Sequence, residues 1–368
     1  MPRALITGGT GFLGSNIALR LVERGWEVRI LERPGATHIL LEDGPFEYVI
    51  GDILAPETLP PAMRGIDVVF HAAGVVDYWR QGVGRMYEVN VIGTRNVTNA
   101  ALKVGVERLV HTSSTAAMGI YPNVMVDESF TFNVKKEEFV YGYSKYLAEE
   151  IVFEAIQKGL PAIIVNPTTV IGPRDIRKVS SGMVVEIVNH CTPPLIPPGG
   201  LNIVPICDVA QGHIEASLKG CIGERYILGG ENMTHLQFYQ TIAAVVGCGM
   251  KLKVMPHWMV SLTAGLTDIL QPQTSGPVPL TGDRLRLESK MFFFDSSKAR
   301  QVFAMPKTPL RITIGRTYQW YEEMGEFEGI HERLEMDGVC KRCGRTRYCQ
   351  WPAADSGSKV AIRRKEMV

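Results

Sequence analysis

The chain has 368 residues, 45% hydrophobic and 21% charged, with 39 Lys and Arg against 38 Asp and Glu. That length suits two lobes or domains, and the balanced charge excludes the electrostatic footprint of a nucleic-acid binder. No window reaches the ~18 consecutive apolar residues of a membrane span, and the N-terminal stretch has neither the basic start nor the cleavage site of a secretion signal.

Short apolar runs alternate with helical patterns through the first half. RALITG (3–8) reads as a strand, SNIALRLVERG (15–25) as an amphipathic helix, EVRILE (27–32) as a second strand and FEYVIGD (46–52) as a third. DVVFHAAG (67–74), the helical VNVIGTRNVTNAALKVG (89–105), the strand RLVHTSS (108–114), the helix YSKYLAEEIVFEAIQKG (143–159) and PAIIVNPT (161–168) follow. Strands separated by helices of this length predict right-handed βαβ units and a parallel sheet. The strands are apolar throughout, as expected where helices cover both faces.

After about residue 170 the rhythm breaks. HCTPPLIPPGG (190–200) packs four prolines and two glycines into a rigid loop. ERYILGG (224–230) reads as one more strand, and VMPHWMVSLTAGLTDIL (254–270) as a buried or groove-lining helix. Cys191, Cys207, Cys221 and Cys248 lie in apolar stretches and read as reduced core residues. An odd total of seven without a secretion signal predicts a reducing cytoplasm.

Between the first strand and helix stand Gly8, Gly11 and Gly14. Such glycines permit a tight turn, close approach of the backbone to a pyrophosphate, and close helix–strand packing. The helix start adds free N–H groups and the positive dipole end. The spacing is Gly-x-x-Gly-x-x-Gly, not the common Gly-x-Gly-x-x-Gly, so context carries the reading. Glu32 ends the second strand 18 residues past Gly14. Its carboxylate suits the two ribose hydroxyls of NAD, whereas the adjacent Arg33 suits the 2′-phosphate of NADP. Both cofactors stay open, with NAD preferred.

Tyr141 and Lys145 in YGYSK are four residues apart at a helix start and project from one face. A tyrosine of pKa near ~10 is a poor base, but a neighbouring ammonium stabilises its phenolate. Neither Tyr143 nor Tyr146 has a lysine four residues on. Upstream, LVHTSSTAAMG (109–119) ends a strand in hydroxyl residues at the sheet edge where such folds bind ligands. A serine there can polarise a substrate oxygen.

In order, TGGTGFLG, HAAG, NVIGTRNV, TSS, YGYSK and NPTTVIGPRD resemble the extended short-chain dehydrogenase/reductase family over about residues 3 to 325. The resemblance implies an α/β fold: a Rossmann-type doubly wound parallel sheet with a smaller C-terminal substrate lobe. Residues 1–168 would form the NAD(P)-binding domain, with 200–230 returning to it. Residues 169–199 and 231–328 would form the lobe, and 329–368 a cysteine-containing tail. It also implies a catalytic Ser114, with Ser113 second, Tyr141 as acid/base, and Lys145 holding the nicotinamide ribose. Gly8, Gly11 and Gly14, with Phe12 and Leu13 between them, would form the pyrophosphate loop. Asp52 and Ile53 would meet the adenine, and Ala72, Ala73 and Gly74 the adenosine half. Pro167 and Thr168 would lie at the nicotinamide edge, and Asn90 completes the cofactor set. A homodimer is the implied assembly.

Within the family, RILERPG, HAAGVVDYW, GERYILGGENMT and KMFFFDSSKA resemble the dihydroflavonol reductase and 3β-hydroxysteroid dehydrogenase branch, and bacterial proteins called hopanoid-associated sugar epimerases. Many members of that branch have an apolar residue at Glu32, and the family usually has a histidine at Pro205. The serine segment lacks the Asp-Glu pair of sugar dehydratases. A sugar-nucleotide epimerase would need cations for a diphosphate, and Arg174, Arg177, Lys178, Arg284 and Arg286 are the candidates. Against that, Trp79, Met86, Met183, Val184, Pro194, Trp258 and Met259 are candidate walls of an apolar cleft, although residues of these types more often fill a core. The favoured function is a ketone/alcohol oxidoreductase on a small apolar substrate. The alternatives are a sugar-nucleotide epimerase and a non-catalytic NAD(P)-binding regulator. Cys340, Cys343 and Cys349, with His331 the nearest histidine at irregular spacing, fall short of the four ligands zinc wants, so no metal is expected and a site on this tail is the minor alternative.

Overall fold

The computed structural model describes residues 1–41, 44–76, 83–190, 195–248, 252–270 and 282–327. The apolar strands are buried from both sides. In β1 (Arg3–Thr7), Ala4 and Ile6 face one layer of helices and Leu5 the other. The chain continues through β2 (Glu27–Glu32), β3 (Phe46–Ile50), β4 (Val68–His71), β5 (Arg108–Thr112), the short β6 (Met125–Val126) and β7 (Ala162–Pro167). Then come β8 (Thr169–Ile171), β9 (Gly200–Pro205), β10 (Arg225–Leu228), β11 (Glu231–Thr234) and β12 (Phe293–Phe294).

Seven of these form one parallel sheet in the order β10-β7-β5-β4-β1-β2-β3. From β1 the chain moves outward through β2 and β3, then crosses back to β4 on the other side. That reversal opens a crevice at the carboxyl ends of β1 and β4, where doubly wound sheets bind ligands. Ile17 and Leu21 of the helix Phe12–Glu23, with Val209 and Ile214 of Ile206–Lys219, cover one face. Leu59 and Met63, Val97 and Ala101, and Val152 and Ala155 cover the other from three further helices.

β8, β9 and β11 make a separate three-stranded sheet. With the helices Gly182–His190, His235–Val245 and Leu310–Glu323 it encloses a second core of Val184, Ile187, Phe238, Ile242, Ile314 and Tyr321. Of the segment 200–230, β9 therefore lies in the small sheet, while the following helix and β10 join the large one. The helix expected from residue 89 starts in a five-residue π-helical stretch, Glu88–Ile92, before the α-helix Gly93–Val104.

Two expectations differ. The helix His257–Leu270 buries Val260 and Ala264 beside Leu285, but Trp258, Leu262 and Leu266, spaced four apart, face solvent, with Trp258 66% exposed. Apolar residues encircle this helix, and one side alone packs on the fold. Cys248 is buried, yet Cys207 is only half-buried and Cys221 is exposed, because it sits in the link between a helix and β10. Cys191 lies outside the described residues. Among those residues no helix is long and apolar enough to cross a membrane.

Candidate active site

Gly8 sits at the end of β1 with φ of 73°, and a Cβ there would lie 2.7 Å from the Ala73 backbone. A Cβ on Gly14 would stand 2.2 Å from the Gly8 carbonyl oxygen, and one on Gly11 3.3 Å from it. Gly11 caps the helix Phe12–Glu23 with no side-chain bond, and no acidic residue occupies the first turn. Phe12 and Leu13 lie in that turn, half-buried. Bare N–H groups, the helix dipole and a cleared backbone fit a pyrophosphate.

At the far end of this crevice, Glu32 is not free. Its carboxylate is hydrogen-bonded to His38 Nε2, and the His38 ring stacks on Tyr48 at 4.0 Å. Arg33 is exposed at the start of a turn closed by the Ala36 amide. Asp52 Oδ1 accepts from the Leu54 amide at 2.9 Å. Ile53 is buried in the core against Gly93, so its side chain serves packing.

The loop after β4 passes between the two ends of the site. The Ala72 amide donates to Thr7 O at 3.1 Å, and the Ala73 amide to Thr7 Oγ1 at 3.3 Å. A Cβ on Gly74 would lie 3.2 Å from Lys145 Nζ. Asn90 clamps this loop: its Oδ1 accepts from the Val75 amide at 2.8 Å, and its Nδ2 donates to Val75 O and to Ser144 Oγ. That engagement is why Asn90 is buried at the π-helical turn, a deviation common near functional sites.

The helix Val140–Gln157 carries Tyr141 and Lys145 inward, both buried. Tyr143 and Tyr146 turn elsewhere and stack with Phe132. Lys145 Nζ donates to Thr112 O at 3.0 Å. Burial pushes its pKa down to about 8, with Glu149 pulling the other way. Ser114 caps the 3₁₀ turn Thr115–Met118, its Oγ accepting from the Ala116 amide at 3.2 Å. That turn presses on the tyrosine helix, for a Cβ on Gly142 would lie 2.6 Å from Ala116 O. Pro167 ends β7, and Thr168 Oγ1 donates to Asn202 Oδ1 at 2.8 Å where the two sheets meet.

Beneath the site lie three buried histidines. The Thr94 hydroxyl donates to Asn90 O, so His71 Nε2 must donate to Thr94 and His71 Nδ1 accept from Thr7. His213 shares bonds with Thr112 Oγ1 and Val209 O. Between them His111, its ring 5.3 Å from His71, has no hydrogen-bond partner among the described residues. Burial lowers all three pKa values, to about 3 for His71, to about 4 for His213 and well below the ordinary value for His111.

The sequence did not single out His38, Thr112, Glu149, Asn166 or Arg225. Only Glu149 carried a readable signal, being four residues past Lys145. The apolar cleft residues fare unevenly. Met86 and Val184 are fully buried and Met183 packs on the second core. Met259 is half-buried, while Trp79 and Pro194 lie outside the described residues. Of the cations, Lys178 is paired with Glu326 at 2.6 Å, Arg174 is half-buried, and Arg177 and Arg286 are exposed. The Arg284 side chain lies outside the described residues, as do His331, Cys340, Cys343 and Cys349. Among the described residues no His, Cys, Asp and Glu cluster is arranged to hold a metal.

A putatively named relative from Synechocystis, "Putative dihydroflavonol 4-reductase", is 33% identical over 87% of this chain and 94% of its own. The 3-beta-hydroxysteroid dehydrogenase of Mycolicibacterium neoaurum is 29% identical over 82% and 86% respectively. The solved structure of gox2253 superposes with a TM-score of 0.78 at 35% identity, over 89% of this chain and all of that one. The profile of the NAD dependent epimerase/dehydratase family matches residues 4–211. The chain belongs to that family, and is an NAD(P)-dependent enzyme of the extended short-chain dehydrogenase/reductase type.

Proposed function

We propose that the enzyme interconverts a ketone and a secondary alcohol on a largely apolar substrate, with Tyr141 as the proton donor and acceptor. The observation that carries this is the burial of Tyr141 and Lys145 on one helix, pressed against the Ser114 turn and beside Gly74 at the sheet crevice. A bound dinucleotide would supply or receive the hydride. Gly8, Gly11 and Gly14 would hold its phosphates, and Glu32 with its partner His38 would meet the adenosine ribose.

In the reductive direction Tyr141 gives its hydroxyl proton to the carbonyl oxygen as that oxygen gains charge. Ser114 Oγ accepts a backbone bond from Ala116 and keeps its own proton for the same oxygen. Lys145 stabilises the resulting phenolate. In oxidation each transfer reverses.

The flavonol and steroid names of the relatives support an apolar ketone substrate. Purified protein freed of nucleotide is expected to oxidise added NADH or NADPH with a panel of cyclic and aromatic ketones. Tightly retained NAD, no net cofactor turnover and inversion of a sugar nucleotide would instead establish an epimerase. Cofactor preference is proposed to favour NAD, because a carboxylate at the end of β2 would bind ribose hydroxyls and repel a 2′-phosphate. Glu32→Gln is expected to raise the NADPH/NADH ratio of kcat/KM about tenfold or more by removing like-charge repulsion. An unchanged ratio would discard this role.

A further inference from the structure

Glu149 lies four residues beyond Lys145 and eight beyond Tyr141, so all three share one side of the helix Val140–Gln157. It is 1% exposed. A carboxylate buried so deeply needs compensation. Asn166 Nδ2, from β7, donates to Glu149 Oε1 at 2.6 Å, and Arg225 Nη1, from β10, lies 3.4 Å from Oε2. Arg225 is fixed in turn by the Phe130 carbonyl at 2.8 Å and by that of Glu128. The same Asn166 amide donates to the Ser114 carbonyl at 3.0 Å. Through one neighbour the carboxylate touches the serine turn, and through its field it acts on the lysine.

We infer that Glu149 is a positioning residue for proton transfer, keeping Lys145 charged in a dry site and fixing the Ser114 turn through Asn166. The inference rests on Tyr141 and Lys145 being the reacting pair. Among the described residues, the other ionisable groups near Lys145 are His71 on β4 and His111 on β5, both held neutral by burial, and Tyr141 on its own helix. The Thr112 carbonyl supplies only a dipole. Glu149 is the group that opposes the burial of Lys145. Its own pKa is raised by burial and restrained by Ser113, Arg225 and Asn166.

Glu149→Gln keeps the shape and an acceptor for Asn166 while removing the charge. Because it strands the Arg225 guanidinium, the double variant Glu149→Gln/Arg225→Gln carries the same test without an uncompensated buried charge. Lysine-selective ¹³C NMR of the cofactor-free protein, with Lys145 assigned through Lys145→Met, reads the titration directly. In whichever variant folds, the Lys145 midpoint is expected to fall by about one pH unit or more. The alkaline limb of the kcat profile should move down with it. An unmoved midpoint, with kcat lowered equally at every pH, overturns the inference while leaving an inactive Tyr141→Phe enzyme explained. Full turnover by Tyr141→Phe would remove the reacting pair itself, and the role of Glu149 with it.

Discussion

Tyr141→Phe is expected to lower kcat by about a hundred- to ten-thousandfold, the range that a positioned proton donor contributes. The loss should fall on the chemical step. Only the phenolic oxygen is removed, and the ring keeps its buried place beside the Ser114 turn. Cofactor affinity, read by fluorescence of bound NADH, should stay near that of the parent, as should the melting temperature. Raising the pH should not rescue the variant, because the two neighbouring tyrosines of the helix turn away from the site. Tyr143 and Tyr146 are committed to the aromatic stack with Phe132. A variant that kept most of the parent turnover would transfer the acid/base role elsewhere. A catalytically dead variant that kept the biological effect would instead make the protein a nucleotide-binding regulator.

Acid is expected to unfold the protein from within. His71, His111 and His213 are fully buried with pKa values well under 6.5, while in the unfolded chain each binds a proton near that value. Below pH 6.5 the unfolded state therefore holds more protons than the native one, and stability falls as pH falls. Above it the three contribute no pH dependence. Each histidine takes away about 1.4 kcal/mol per pH unit until its native pKa is reached, roughly 4 kcal/mol per unit for all three. A domain of ordinary stability, about 5–15 kcal/mol, would be exhausted within a few units. The melting temperature should drop steeply below about pH 6 and change little from there to about pH 8. His111→Phe, which leaves no hydrogen bond unmade, should flatten the slope by about a third. A melting temperature that held level down to pH 4.5 would refute this account.

Much of the site could be read from sequence because its parts are local. Tyr141 and Lys145 meet through helical spacing alone, and Gly8, Gly11 and Gly14 through the turn they jointly make. What stayed hidden is assembled from elements far apart in the chain. Glu149, Asn166 and Arg225 come from a helix and two strands, and only the parallel pairing of β7 with β10 brings them together. Asn90 was placed near the cofactor by resemblance, yet its amide is spent on the loop and helix that flank it. Composition also misjudged surfaces. Met86 and Val184 were candidates for a cleft wall, and both are fully buried instead. In residues 254–270 apolar side chains ring the helix, so no periodicity marked which side would meet the fold.

The two ends of the proposed dinucleotide crevice differ in what they can accept. At the phosphate end Gly14 leaves 2.2 Å for any added carbon, and the obstacle is backbone rather than a side chain that could step aside. At the proposed ribose end the candidate contact is the Glu32 carboxylate, a side-chain group held by His38 rather than by backbone. Anyone redesigning the enzyme to draw on a different pool of reducing equivalents therefore has a single workable address. Libraries built around Glu32, Arg33 and His38 would exchange side chains, whereas diversity placed in the glycine turn would collide with backbone.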